Sequence, residues 1–295
     1  MSGEFDNIHQ GLSQAAALTI LTSRVEELDS KSDFYMAVSH LINFPNEETV
    51  DGLIGFLQVV SQEQSVVLAQ RKAVEVLGRL CSKEAEQVIG RCLGSKDVYM
   101  VENAVWALGQ LATQDRNMHL KMIALLSDLS QNRRVLIQTL SSLGLAEPQT
   151  EFIHLTSDDV PSVAGAAIAS LAKLGLVSDE QLSKLSDHLF LPNQMDRQSA
   201  VQDIIDAQAV GLMPDVVKAP ISPAFKIRAL KSLLDDHFLS SHDAMTLVQK
   251  IFQDNPEETI VLHHYDCTHE PAFLVEELFC PDFSRCYLAM QQLMH

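Results

Sequence analysis

Apolar residues recur every three or four positions in two segments that read almost alike. In the first, Ala69, Ala73, Val76, Leu77 and Leu80 take these steps, and in the second Val101, Ala104, Val105, Leu108 and Leu111 do. Such stepping lays one apolar stripe along a helix. The two stripes are set in matching words, Arg71-Lys72-Ala73-Val74-Glu75-Val76-Leu77-Gly78 and Glu102-Asn103-Ala104-Val105-Trp106-Ala107-Leu108-Gly109. The interval from Ala73 to Ala104 is also the interval from Gly78 to Gly109. Asp97, Asp128 and Asp159 repeat that interval, and so do Ala104, Val135 and Ala166. A fixed period of about 31 residues, carrying helical patterning, predicts stacked units of two helices each. One pair cannot cover its own stripe, so each pair must stack on its neighbours. Ala73 and Ala104 let helices approach closely. Gly78 and Gly109, each costing roughly 1 kcal/mol inside a helix, mark close packing or a bend.

The rest of the chain continues this texture. An opening helix is expected over residues 13–28, then helices over 32–42, 50–60, 64–80 and 83–93. Asp97 is expected to cap the helix that carries Trp106, and Asp159 to cap the one two units later. Further pairs are expected up to a last helix at 240–252. Beyond Asn255-Pro256 the texture changes, with a β-favouring Thr259-Ile260-Val261-Leu262 and then a run rich in His and Cys. The expected division is a capping helix at 1–32, repeats at 33–254 and a C-terminal cap at 255–295. Units of this length with an Asp before the second helix resemble short HEAT repeats. The fold class expected is therefore all-α, a right-handed α-solenoid of HEAT-like helical pairs with caps at both ends.

Composition narrows the function. Of the 295 residues 46% are hydrophobic, ample for a continuous core, and the formal charge is −18. An acidic surface without a Lys/Arg run repels nucleic acid and anionic membranes, so neither is expected as a partner. Five cysteines, Cys81, Cys92, Cys267, Cys280 and Cys286, show no regular spacing. That argues for a reducing compartment, and a cytoplasmic protein is expected.

Two constellations carry candidate chemistry. The face opposite the buried stripe of the central helix presents Tyr99, Asn103, Trp106 and Gln110. At the matching positions one repeat earlier stand Leu68, Lys72, Glu75 and Arg79, and one repeat later Ser130, Arg134, Ile137 and Ser141. A second column reads Arg71, Glu102, Arg133. The candidate groove is thus Arg71, Glu75, Arg79, Tyr99, Glu102, Asn103, Trp106, Arg133 and Arg134, with Trp106 expected between Glu75 and Ile137. Trp and Arg dominate binding hot spots. The same alternating charges also read as a ladder holding the stack together. The other constellation is His263, His264, Cys267 and His269, types that can bind Zn or Fe. It has no CxxC or HxxxH pair, so turn histidines and a small buried cysteine are the preferred reading, and no metal is expected on the repeats. No P-loop, GxSxG, GxGxxG or HExxH sequence occurs, and no catalytic residue is assigned.

The segments Arg71 to Leu80 and Val101 to Leu111, with Asp97 before the second, resemble the HEAT-like repeats of the cyanobacterial E/F-type phycobilin lyases. The resemblance implies a bilin as transferred substrate, a phycobiliprotein client and, commonly, a second HEAT chain. It implies catalysis by proximity, with a groove holding the bilin beside an acceptor cysteine of the client. A bilin offers pyrrole N–H donors and two propionates, which would suit Glu75 or Glu102 and Arg71, Arg79 or Arg133. Lyases of this type carry a denser aromatic doublet than Phe34-Tyr35-Met36-Ala37 and the single Trp106 found here. A non-enzymatic scaffold, like the IaiH relatives that associate with an A-type iron–sulfur carrier, is the alternative implied.

Overall fold

The computed structural model describes residues 9, 11–252, 270–278, 289–290 and 292–293. Among them every regular element is helical. The chain divides into two units, Met1–Pro148 and Gln149–His295.

The first unit contains α1 (Gln14–Thr22), α2 (Asp33–Leu41), α3 (Glu47–Leu57), α4 (Gln64–Arg79), α5 (Glu86–Cys92), α6 (Val98–Gln110), α7 (Arg116–Leu125) and α8 (Arg133–Ser142). Helices pair as α1 with α2, α3 with α4, α5 with α6 and α7 with α8. The second members form a continuous layer, α2 on α4, α4 on α6 and α6 on α8. The second unit contains α9 (Gln149–Leu155), α10 (Pro161–Lys173), α11 (Asp179–His188), α12 (Gln194–Asp206), α13 (Met213–Lys218), α14 (Pro223–Asp235), α15 (Ser241–Phe252) and α16 (Pro271–Glu277). Here α10, α12, α14 and α15 pack in sequence, with α9, α11 and α13 as first members. The all-α class of HEAT-like pairs is the one observed.

The predicted stripe is the core. Ala73, Leu77, Ala104 and Leu108 have no solvent exposure. Gly78 and Gly109 serve close packing rather than a bend. A Cβ on Gly78 would stand 2.8 Å from Ala107 Cβ, and one on Gly109 would stand 3.0 Å from Thr139 Cγ2.

Two local expectations are corrected. The opening helix stops at Thr22, and a short 3-10 turn follows at Val25–Glu27. The hydroxyls of Thr22 and Ser23 both donate to Thr19 O, and such side-chain bonds compete with helix continuation. Asp97 caps α6 as expected, accepting from the backbone N–H of Tyr99 and Met100. Asp159 is not the cap expected of it, and Asp128 at the same interval does not cap either. Asp128 closes a turn by accepting from Ser130, and Asn132 caps α8 by accepting from Val135 N–H. At α10 it is Asp158 that accepts, from Val160 N–H, while Pro161 opens the helix.

The constant feature of the repeat lies at the other end of each second helix. Cys81, Ala112, Gly144, Gly175, Gln208 and His237 all have positive φ, between 47° and 69°. Each directly follows the C-cap of α4, α6, α8, α10, α12 or α14. The next N–H then returns to a carbonyl five residues back, as from Ser82 to Leu77 and from Thr113 to Leu108. This is the Schellman ending, and it satisfies carbonyls that the helix leaves open.

Candidate functional site

The layer α2–α4–α6–α8 exposes cations and aromatics side by side. Arg71 leaves the middle of α4, where its Nε donates to Asp97 Oδ2 at 2.7 Å. The other Asp97 oxygen caps α6, so one carboxylate ties α4 to the start of α6. The Arg71 guanidinium also lies 4.7 Å above the Tyr99 ring, a cation–π contact. One residue along, Lys72 Nζ donates to both Glu75 oxygens at 2.8 Å and lies 6.0 Å from the Tyr35 ring of α2. Glu75 also draws Arg79 Nη1 to 3.9 Å. Tyr35 and Tyr99 remain about half exposed, at 47% and 59%. The result is a surface of flat rings and cations on a protein of net charge −18.

Trp106 is half-buried, with its ring edge facing Gly78 of α4, where an added Cβ would come within 3.1 Å. It therefore belongs partly to the stack and partly to the surface. Asn103 is half-buried, and Glu102 Oε1 accepts from Asn132 Nδ2 at 3.0 Å.

The columns do not run on unchanged into α8. Ile137, expected beside Trp106, has no exposure, and Arg133 is only 9% exposed. The Schellman residues explain this. The interval from Ala112 to Gly144 is one residue longer than the interval from Cys81 to Ala112. One extra residue turns a helix by about 100°. Counted from the helix ends, Gln138 is the counterpart of Trp106 and Arg134 that of Glu102, both half-buried. Arg133 and Ile137 then match the buried Val101 and Val105. Arg71, Glu75, Arg79 and Tyr99 are thus brought together, and Arg134 joins their layer at the position expected of Arg133.

Sequence reasoning left Lys72, Tyr35 and Asp97 out of the site. Lys72 was legible from its place three residues before Glu75 on one helix, a spacing that lets side chains meet. The reach of Arg71 to Asp97 depends on the α4–α6 packing and had no sequence signal.

No group of described residues is arranged to hold a metal ion. His263, His264, Cys267 and His269 lie outside the described residues. Cys92 is half-buried, and burial pushes its thiol up, which disfavours a nucleophilic thiolate. No helix among the described residues is long and apolar enough to cross a membrane.

A HEAT-repeat family profile matches residues 55–141, which places this layer in that class of helical repeats. The chain is 41% identical over 270 residues to the bilin biosynthesis protein CpeY of Synechococcus sp. (strain WH8020), covering 90% of this chain. It spans 64% of that relative, less than two thirds of its length. It is 31% identical over 287 residues to the phycocyanin operon protein Y of Pseudanabaena tenuis (strain PCC 7409), covering 96% of this chain and 68% of the relative. In fold it is similar to the complex of CpcE and CpcF of phycocyanin lyase from Nostoc sp. PCC7120. That match has a TM-score of 0.66 at 22% identity, over 85% of this chain and 99% of the other. The chain belongs to the cyanobacterial HEAT-repeat phycobilin lyase family.

Proposed function

We propose that this chain handles bilin for attachment to a phycobiliprotein, docking the client on the α2–α4–α6–α8 layer. The observation that carries the reading is the 41% identity, over 90% of this chain, to a bilin biosynthesis protein. The surface chemistry supports it. Tyr35, Tyr99 and the exposed part of Trp106 supply flat apolar area at low entropic cost, and Arg71, Lys72 and Arg79 supply donors for client carboxylates. The work is proximity catalysis in the cytoplasm. The client's cysteine thiol adds across an exocyclic double bond of the bilin. A carbon–sulfur bond forms, the thiol proton passes to the adjacent carbon, and nothing leaves. The chain's own contribution is to hold the two reactants in register. A second HEAT chain as working partner is supported by the similar solved structure, a complex of two chains.

Co-production with a phycobiliprotein subunit and a bilin-forming pathway tests this, with and without a second HEAT chain. The expected result is pigment that stays on the client after denaturation, in amounts that fall when Arg71→Glu and Tyr99→Ala are combined. Client that acquires pigment equally well without this chain, in both settings, would overturn the proposal.

A further inference from the structure

Arg71 and Lys72 are neighbours on α4, but their charges are spent differently. Lys72 is used up within its own helix. Its Nζ donates to both oxygens of Glu75 at 2.8 Å, and its side chain is 16% exposed. Arg79 turns to the same Glu75, at 3.9 Å. Arg71 gives up one N–H, from Nε to Asp97 Oδ2 at 2.7 Å. A guanidinium has five N–H bonds, so those on Nη1 and Nη2 remain. Among the described residues none accepts from Nη1 or Nη2, and neither nitrogen is sealed away from water. These two nitrogens form the fork that can meet both oxygens of a carboxylate at once.

The fork is held from three sides. Its stem rises from the middle of α4. Asp97 fixes Nε and is itself fixed, because its Oδ1 accepts from the N–H groups of Tyr99 and Met100. The Asp97 N–H in turn donates to the Ser95 hydroxyl at 3.1 Å. The Tyr99 ring lies 4.7 Å from the guanidinium carbon and covers one face. A long side chain is thus ordered before anything binds, so less freedom is lost when a partner meets it. The guanidinium already has a carboxylate on its inner edge and none on its outer edge. With a net charge of −18 the protein repels polyanions, so a single carboxylate on a protein surface suits this fork better than a chain of phosphates.

We infer that Arg71 is the specificity-determining residue of the docking layer, receiving one Asp or Glu side chain of the client on Nη1 and Nη2, with Asp97 as its positioning residue. The inference rests on the client-docking reading, and it singles out one anchor among the three cations of α4.

The test measures the affinity of the full chain for a pigment-free phycobiliprotein subunit by calorimetry. Arg71→Lys keeps the charge and loses the fork, so it should weaken binding by about tenfold or more with the melting temperature nearly unchanged. Asp97→Asn still caps α6 but releases Nε, and should weaken binding severalfold. A set of client variants, each with one surface Asp or Glu changed to its amide, then locates the partner group. For one of them Arg71→Lys should cause no further loss. Wild-type affinity in Arg71→Lys overturns the inference and leaves the docking reading standing. Additive losses with every client variant also overturn it. So does a loss seen only with pigment-loaded client, because the carboxylate would then belong to the pigment. If Arg71→Lys melts early, Asp97→Asn against the same client set decides by the same criterion. No binding by the wild type overturns the docking reading and the inference together.

Discussion

The two units use one repeat to opposite electrostatic ends. In the first, the charges of α4 and α6 stand at the surface, where Arg71 meets Asp97 and Lys72 meets Glu75 while their outer sides face solvent. In the second, comparable charges are inside. Arg197 of α12 has no exposure and donates to the carbonyls of Leu191, Pro192 and Pro220. Lys226 of α14 is 2% exposed and donates to Val217 O. Asp203 of α12 is fully buried against Gly165 of α10. Gly78 and Gly109 of the first unit instead meet Ala107, Trp106 and Thr139. A cation holding loop carbonyls in the core cannot also meet a ligand. On α4 and α6 of the first unit the charge pairs thus stay partly exposed, whereas on α12 and α14 of the second the buried cations hold loop carbonyls in place.

The sharpest test of that contrast is to remove one cation from each unit. Arg197→Met should cost about 3 kcal/mol or more, because it strips buried carbonyls of their donor. Arg71→Met should cost about 1 kcal/mol or less, as for partly exposed pairs. Urea denaturation followed by hydrogen exchange in each unit measures both. Equal losses would erase the distinction.

Next in size is the contrast between glycine contacts. Gly165→Ala forces a Cβ onto the Asp203 carboxylate, which is fully buried. A loss of about 1–3 kcal/mol is expected, confined to the second unit. A neutral effect would mean that Asp203 is freer than its burial indicates.

Trp106→Ala probes the surface of the first unit. Truncating a hot-spot aromatic weakens binding by about 2 kcal/mol. Because its ring also faces Gly78, some stability should go with it, so client affinity must be measured on the folded fraction. Tyr99→Ala is the companion, since Tyr99 is more exposed and its loss should leave the melting temperature unchanged. Normal client affinity in both variants would remove this layer from the docking surface.

The smallest expected effect is on pH dependence. In the second unit, burial holds His188 below its ordinary value of 6.5, with Lys184 helping and Asp187 and Asp196 opposing. The unfolded chain therefore takes up that proton first. The stability His188 contributes is complete above about pH 6.5 and falls as acid approaches its lower folded value. In the first unit the groups displaced in the acid range are turn and cap carboxylates. Asn117 N–H, chiefly, and Gln87 hold Asp115 below 3.8, and the Ser130 hydroxyl does the same for Asp128. Their contribution is complete above about pH 4 and lost only as pH falls further. Mild acid should loosen α11 and α12 before α7 and α8, and His188→Gln should narrow the gap. Simultaneous loosening would contradict it.

Much of this molecule was already legible in the amino-acid sequence, and for a physical reason. Within a unit each repeat packs on its chain neighbours, so a stripe such as Ala73-Val76-Leu77 names both the helix and its buried side. Local chemistry was equally readable where one residue suffices, as at Asp97. The rotation of each helix about its axis was not. It depends on where the preceding turn ends, and the αL residue there is glycine only at Gly144 and Gly175. At Cys81, Ala112, Gln208 and His237 nothing in the residue type marks the turn. Because these turns are not evenly spaced along the chain, a fixed period drifts against them, and at α8 that drift exchanged Arg133 for Arg134 on the layer. The surroundings of Gly52 and Gly55 were beyond reach for a related reason. A glycine in a helix looks the same in sequence whether a neighbour fills its place, as Leu18 does at Gly52, or leaves it open, as at Gly55, and only the packing of α1 and α4 on α3 decides which.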